Sequence, residues 1–273
     1  MKELLEKIDK TTVNLYTKAI YDGPIDFIDT IEAYNKAIKE LNKQTLLGID
    51  SETKPSFKKG QINQVCLLQI ASSEKAYLFR LNIIGFPDSL IALLCNKKIK
   101  KVGLSLHDDF LMIRRKQKDS NQAIEPKGIV ELQEMVPKYG IGEKGLQKIY
   151  AILFKQKLSK SQRLTNWEAE ELTPAQQRYA AFDAVACLQI YNELLNNYKK
   201  GTYKVIPYDE NQEEQISLDL LKQGLITEED VEKTTALRIE RNAKKAKKRE
   251  EHAAYLAKRE AEKLIKTKQP STI

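Results

Sequence analysis

The run Leu46-Leu47-Gly48-Ile49-Asp50-Ser51-Glu52 begins like a buried strand and ends on two carboxylates. In a strand, residues i and i+2 share a face, so Asp50 and Glu52 stand side by side while Leu47 and Ile49 point the other way. Carboxylates placed where a core should be are costly unless they are paired or hold a cation. Two of them at the end of a rigid strand can grip one metal ion. The competing interpretation is a surface turn that starts at Asp50.

Further acids occupy similar positions elsewhere. A second apolar run, from Val102, leads to Asp108 and Asp109. In helical projection Asp109 falls between Met112 and Ile113, near the apolar face made with Leu106 and Phe110. Asp108 sits nearer the edge, and either acid could simply cap a helix after Ser105. Asp183 lies in the middle of the stripe Tyr179, Ala186, Cys187 and Ile190, where Ala or Leu would be expected. Tyr179 is its i−4 neighbour, so phenol and carboxylate share a face. A structural Tyr–Asp hydrogen bond is one explanation, and a metal ligand with a phenol placed to hold a water is the other. A cluster of acids drawn from separate segments suggests a divalent-metal site and hydrolysis of phosphate esters.

Composition narrows the metal and the partners. The 273 residues are 41% hydrophobic and 31% charged, as in a soluble globular chain with extra surface charge. No window approaches the roughly 18 consecutive apolar residues of a membrane span. The N-terminal MKELLEKIDK lacks an apolar h-region, so no secretory signal is expected. Cys66, Cys95 and Cys187 are widely spaced in apolar segments, as expected of reduced thiols in a cytoplasmic protein. With His107 and His252 the sole histidines, a metal here would be held by oxygen, which favours Mg²⁺ or Mn²⁺ over Zn²⁺. The net charge of +8 is concentrated at one end. Val231–Ile273 holds 13 Lys/Arg against 6 Asp/Glu, whereas residues 1–230 hold 33 against 32.

The periodicities predict an α/β domain followed by a basic helical tail. Asp29–Leu41 reads as a helix, with Ile31, Tyr34, Ile38 and Leu41 on one face. Strands are expected at Thr45–Glu52, Val65–Ile70 and Ala76–Leu81, the last two joined as a hairpin by Ser72-Ser73-Glu74-Lys75. Helix is expected over Pro87–Cys95, strand over Ile99–Leu104, helix over Asp108–Arg115, and polar loop over Gln117–Pro126. Thr173-Pro174-Ala175-Gln176 combines an N-cap, a proline at the first helical position and a capping-box Gln, opening the helix that carries Tyr179 and Asp183. The expected divisions are a domain at residues 1–200 with its core at about 20–200, a linker at 201–226, and a mostly helical tail at 227–273.

Read together, the motifs carry a family resemblance. Leu47-Gly48-Ile49-Asp50-Ser51-Glu52 resembles the first motif of the DEDD 3′–5′ exonucleases. Val102-Gly103-Leu104-Ser105-Leu106-His107-Asp108-Asp109 resembles the second, whose acid lies six residues after the glycine, which selects Asp109. Tyr179-Ala180-Ala181-Phe182-Asp183 resembles the Y-x-x-x-D motif of the DEDDy branch, although Phe182 stands where many relatives have Thr. Leu158–Arg163 with Asn166-Trp167 is similar to a family stretch before the last helix. The resemblance covers roughly residues 20–200 and is nearest to RNase D and Werner-type exonuclease domains.

The resemblance implies a ribonuclease H-like mixed sheet with flanking helices and a two-metal phosphodiesterase. Asp50, Glu52 and Asp183 would hold the ion that generates the nucleophile. Asp50 would also reach a second Mg²⁺ or Mn²⁺ ion, with Asp109 acting there largely through water. Tyr179 would orient the attacking water, and the product would be a nucleoside 5′-monophosphate cut from a single-stranded 3′ end of DNA or RNA. Lys160 and Arg163 are candidate phosphate contacts, as are Lys58 and Lys59. Trp167 is either a stacking platform or core. In the tail, Arg241, Lys244, Lys245 and Lys248 form a basic heart suited to a polyanion; the alternative is a solvated tail. The helical nucleic-acid-binding domain of RNase D has no counterpart, which favours DNA or mixed substrates over RNase D-like trimming. A catalytically silent nucleic-acid-binding protein on the same fold would be expected to have lost one of the acids, and all four are present.

Overall fold

The computed structural model describes residues 1–55, 64–116 and 124–267, in two units, Met1–Tyr208 and Asp209–Ile273. The first opens with strand β1 (Lys2–Leu5) and helix α1 (Lys10–Leu15), whose Thr11 amide donates to the Asp9 carboxylate at 2.8 Å. Strand β2 (Ile25–Ile28) precedes helix α2 (Ile31–Leu41), capped by the Thr30 hydroxyl. Tyr34, Ala37, Ile38 and Leu41 are its buried stripe, whereas Ile31, expected on that face, is exposed in the first turn. Strands β3 (Leu46–Thr53), β4 (Val65–Ala71) and β5 (Ala76–Arg80) follow. Then come α3 (Leu81–Ile84), α4 (Asp88–Cys95), β6 (Lys100–Gly103), α5 (Leu106–Lys116) and β7 (Ile129–Glu131). Helices α6 (Leu132–Met135), α7 (Leu146–Phe154) and α8 (Pro174–Asn197) and strand β8 (Tyr203–Ile206) complete the unit.

Six strands form one mixed sheet in the order β2-β5-β4-β3-β6-β7. The central β5, β4 and β3 are antiparallel, while β2, β6 and β7 join them in parallel pairs. One face carries Leu47, Ile49, Leu68 and Ile70 into a core shared with α2, α4 and α5. The other face packs Leu67, Cys66 and Leu78 against Trp167, Leu172, Ala180 and Ala181. Helix α8 thus turns small side chains, Ala180, Ala181 and Ala184, to the sheet, and the face that carries Asp50 and Glu52 is the face it covers.

The stretch 201–226, expected as a linker, is not one. Strand β8 pairs in parallel with β1, Lys2 opposite Tyr203 through Leu5 opposite Ile206, and the division between units follows at Tyr208. This pairing joins segments about two hundred residues apart, which no local pattern reveals. The second unit holds α9 (Glu210–Lys222) and α10 (Glu228–Thr267). Gly224 has φ +68° at the turn between them, and Thr227 and Asp230 cap α10 reciprocally. Arg238 of α10 donates to the Glu213 carbonyl and the Ser217 hydroxyl of α9, each at 2.9 Å. Among the described residues, no helix is long and apolar enough to cross a membrane.

Candidate functional site

Three elements deliver the acids. On β3, Leu47 and Ile49 are fully buried in the core on the far face, leaving Gly48, Asp50 and Glu52 on the α8 face. A Cβ on Gly48 would stand 2.1 Å from the Ala184 carbonyl oxygen. The missing side chain therefore lets α8 cross β3 in backbone contact. Asp50 follows two residues on, against the turn of α8 that bears Asp183. One oxygen from each of Asp50, Glu52 and Asp183 lies within 4.8 Å of the other two.

Asp109 comes from the opposite layer. A Cβ on Gly103 would meet the Ile49 carbonyl at 2.5 Å, so β6 ends hard against β3. The chain then turns through Ser105 at φ +64°. The Glu131 carboxylate at the end of β7 accepts the Ser105 amide at 3.0 Å, the Leu106 amide at 2.7 Å and the Gln133 amide at 3.0 Å. That triple acceptor holds the first turn of α5. Asp109 points inward and accepts a hydrogen bond from the Ser51 hydroxyl, while Asp108 is exposed. Asp109 is therefore anchored to β3 beside the acids but is not one of the three whose oxygens converge. Glu131 was not foreseen; its signal was an acid closing the apolar pair Ile129-Val130.

Helix α8 is fixed at its start by the predicted capping box, Thr173 and Gln176 each bonding the other's backbone amide. The loop before it is pinned by the buried Arg80, which donates to the Ala169 carbonyl at 2.5 Å and the Glu170 carbonyl at 3.2 Å. Trp167 in that loop is fully buried in the core under α8, its ring 6.0 Å from that of Tyr179. It is core and offers no platform to a base.

The electrostatics are those of acids forced together. Burial, then the charges of Asp183, Asp109 and Glu52, push Asp50 well above the usual carboxylate range. Burial first, with Asp183 and Asp109 adding, raises Glu52 to about 8. Burial lifts Asp183 to about 7 against opposing help from the Tyr179 hydroxyl and the Lys160 charge, and Asp109 to about 6 against the Ser51 bond. Burial, then Asp183, Glu52 and Asp50, raise the Tyr179 phenol. Lys160 and Arg163 are exposed, yet their charges are felt at Asp183 and Glu52 respectively. Both cations therefore lie within electrostatic reach of the acids.

A cavity of about 270 Å³ lies beside Tyr179, lined among others by Lys18, Ser159, Ser161 and Arg178. A larger one, about 450 Å³, is lined by Thr45 and Leu46 at the opposite end of β3 and is remote from the acids. Lys58 and Lys59 fall outside the described residues. Arg241, Lys244, Lys245 and Lys248 belong to α10 in the second unit; Lys244 pairs with Glu240.

The donor set is all carboxylate oxygen and crowded, and no ion pair to Asp50, Glu52 or Asp183 is present among the described residues. Such a set fits a hard divalent ion, which would offset the cost of burying these charges and the repulsion that Asp50 and Glu52 feel from their neighbours.

Comparison with known proteins agrees with this geometry. A sequence model of the 3′–5′ exonuclease family matches residues 25–199. The chain is 37% identical over 164 residues to the bifunctional 3′–5′ exonuclease/ATP-dependent helicase WRN of Mus musculus, covering 57% of this chain and 11% of that one. It spans 11% to 52% of the lengths of the curated relatives it matches. The Nibbler EXO domain of Aedes aegypti superposes with a TM-score of 0.59 at 21% identity, covering 64% of this chain and 90% of that one. RNase D of Trypanosoma brucei in complex with RNA U12 gives 0.55 at 18% identity, covering 75% and 72%. The two structural likenesses are of fold, and they bear out the ribonuclease H-like mixed sheet.

Proposed function

Because the chain belongs to the 3′–5′ exonuclease family, we propose that it hydrolyses single-stranded 3′ ends of DNA or RNA with two Mg²⁺ or Mn²⁺ ions, releasing nucleoside 5′-monophosphates. The observation that carries this is the meeting of Asp50, Glu52 and Asp183 oxygens within 4.8 Å with Tyr179 one turn before Asp183. These three would hold one ion, and Asp50 with Asp109 the other. When bound, the ions lower the pKa of water and stabilise the attacking and leaving oxygens.

The chain's own residues do the rest. The raised phenol of Tyr179 stays protonated at neutral pH, so it orients a water by hydrogen bonding and does not act as a base. Its bond to Asp183 favours the charged carboxylate. Lys160 and Arg163, within electrostatic reach of the acids, are suited to the phosphates of the 3′ end. The wide spacing of Cys66, Cys95 and Cys187 in apolar segments supports a cytoplasmic placement.

The test uses 5′-labelled single-stranded DNA, recessed duplex DNA and RNA with Mg²⁺ or Mn²⁺. Ladders shortening from the 3′ end, and vanishing with chelator, are the expected result; label released as mononucleotide first would place the attack at the wrong end. The DNA arms decide between broad specificity and RNase D-like trimming, and the RNA arm shows whether the activity is confined to DNA. Tyr179→Phe should reduce kcat by about 10- to 100-fold with Mn²⁺ affinity unchanged by calorimetry. A general-base role for the phenol would instead give a rate that rises with pH in wild type and loses that rise in this variant.

We further propose that the basic face of α10 adds affinity for the polyanion. Replacing Lys244, Lys245 and Lys248 together by Ala should lower the slope of log affinity against log salt by about 2–3. The rate on saturating substrate should stay unchanged. An unaltered slope in a filter-binding titration would assign the tail to solubility alone.

A further inference from the structure

Strand β4 holds one polar residue, Gln69, within the seven-residue run Val65–Ala71, every member of which is buried. Gln69 is fully buried, and neither its amide nitrogen nor its carbonyl oxygen has a hydrogen-bond partner among the described residues. A buried amide without a partner is destabilising by about 1–3 kcal/mol, so an apolar residue would serve a purely structural strand better. The neighbours sharpen the anomaly. Leu67 packs with Ala180 and Ala181, and Ala71 with Ala184 and Leu188, so Gln69, between them on the same face, lies under the methyl groups of α8. Its cross-strand neighbour on β5 is Leu78. Its cross-strand neighbour on β3 is Asp50.

We infer that Gln69 is a positioning residue for Asp50: its side-chain amide donates to the Asp50 carboxylate when a divalent cation is held at the acidic cluster, and so fixes the carboxylate's orientation. Directly opposed residues of an antiparallel pair have Cβ atoms about 5 Å apart, within reach of a glutamine amide. Asp50 is the polar side chain that the register sets beside it. A hydrogen bond to a charged acceptor is among the stronger ones available, and outer partners of this kind commonly tune metal affinity by about 10- to 100-fold. The inference rests on Asp50 being a metal ligand, and its test separates the two ideas.

Three proteins are compared: wild type, Gln69→Met, which keeps the volume and removes the amide, and Asp50→Asn. Expected for Gln69→Met are a thermal midpoint of the metal-free protein equal to or above wild type and Mn²⁺ affinity lowered about tenfold by calorimetry. The turnover rate should fall in similar proportion, with KM for a labelled oligonucleotide unchanged. A structural filler would leave affinity and turnover where they were, and that outcome overturns the inference. A second reading avoids any core substitution. In ¹⁵N-labelled wild type, the Gln69 side-chain amide pair, identified by its loss in Gln69→Met, should shift on adding Mg²⁺, and should not shift in Asp50→Asn. If wild type binds Mg²⁺ and that amide pair stays in place, Gln69 has no part in the site although the site stands. If Asp50→Asn binds the ion as tightly as wild type, the metal reading of Asp50 fails, and the role of Gln69 with it.

Discussion

Replacing Asp50 by Asn should lower the rate of 3′-end hydrolysis by about 10³-fold or more, and yet raise the thermal midpoint of the metal-free protein at pH 8. Both effects come from one fact. Asp50 is a deeply buried member of a group of like charges, pushed up by burial and by Asp183, Asp109 and Glu52. Without an ion the folded protein holds protons on these groups that the unfolded chain, with carboxylates near 4, has already released. Between about pH 4 and 8 the native state therefore binds more protons than the unfolded state, and stability falls as pH rises. The window is set by Asp109 at about 6, Asp183 at about 7 and Glu52 at about 8. Burial holds Lys101 down at about 8; it works in the opposite sense, but mainly above that pH, so it does not mask the slope.

Scanning calorimetry of metal-free wild type from pH 5 to 8 should show a falling midpoint, and saturating Mg²⁺ should flatten it. Asp50→Asn should match wild type at pH 5 and exceed it at pH 8, by about 2–4 °C for each kcal/mol of repulsion removed. A wild-type midpoint that climbs over this range would mean that the acids are not crowded in solution, and the site would lose its physical basis. Hydrolysis surviving in Asp50→Asn would place the chemistry elsewhere.

What the sequence revealed and what it hid divide along physical lines. The acids were visible because each interrupts an apolar pattern, and the Gly103 offset was needed to prefer Asp109, which lies inward, to Asp108, which is exposed. Long strands and the capped helix around Asp183 were visible because periodicity and capping act locally. Strands β2 and β7 were missed because four and three residues are too few to show an alternation; their pairing partners make them strands. The β1–β8 pair depends on segments at opposite ends of the unit, so the linker expectation failed there. Gln69 lies inside an expected strand, where a lone amide in an apolar run is a readable signal. Glu131 was hidden for a different reason. Its role rests on the Ser105 and Leu106 amides of a turn whose geometry, with Ser105 at φ +64°, is set by tertiary contact.

Gly48→Ala tests whether the approach of α8 to β3 builds the site. The added methyl carbon would stand 2.1 Å from the Ala184 carbonyl oxygen and 2.9 Å from Leu188 Cγ. The first of these is backbone, in the middle of a 24-residue helix, and no rotamer change removes it. Helix and strand must separate, which costs about 3 kcal/mol at the upper end of ordinary overpacking and corresponds to a loss of roughly 6–12 °C in midpoint. Asp183 rides on the turn that would be displaced, while Asp50 and Glu52 stay with the strand, so the three oxygens spread. The expected result, measured well below the lowered midpoint, is a folded protein with weakened Mn²⁺ binding and hydrolysis down by about 10²-fold, as small misplacements at a reacting centre produce. Adding the ion should recover part of the lost stability, because binding to the native state still shifts the unfolding equilibrium. A Gly48→Ala protein with wild-type midpoint and wild-type affinity would show that α8 does not lie on β3 as closely as its small residues allow, and that the acids are brought together by some other contact.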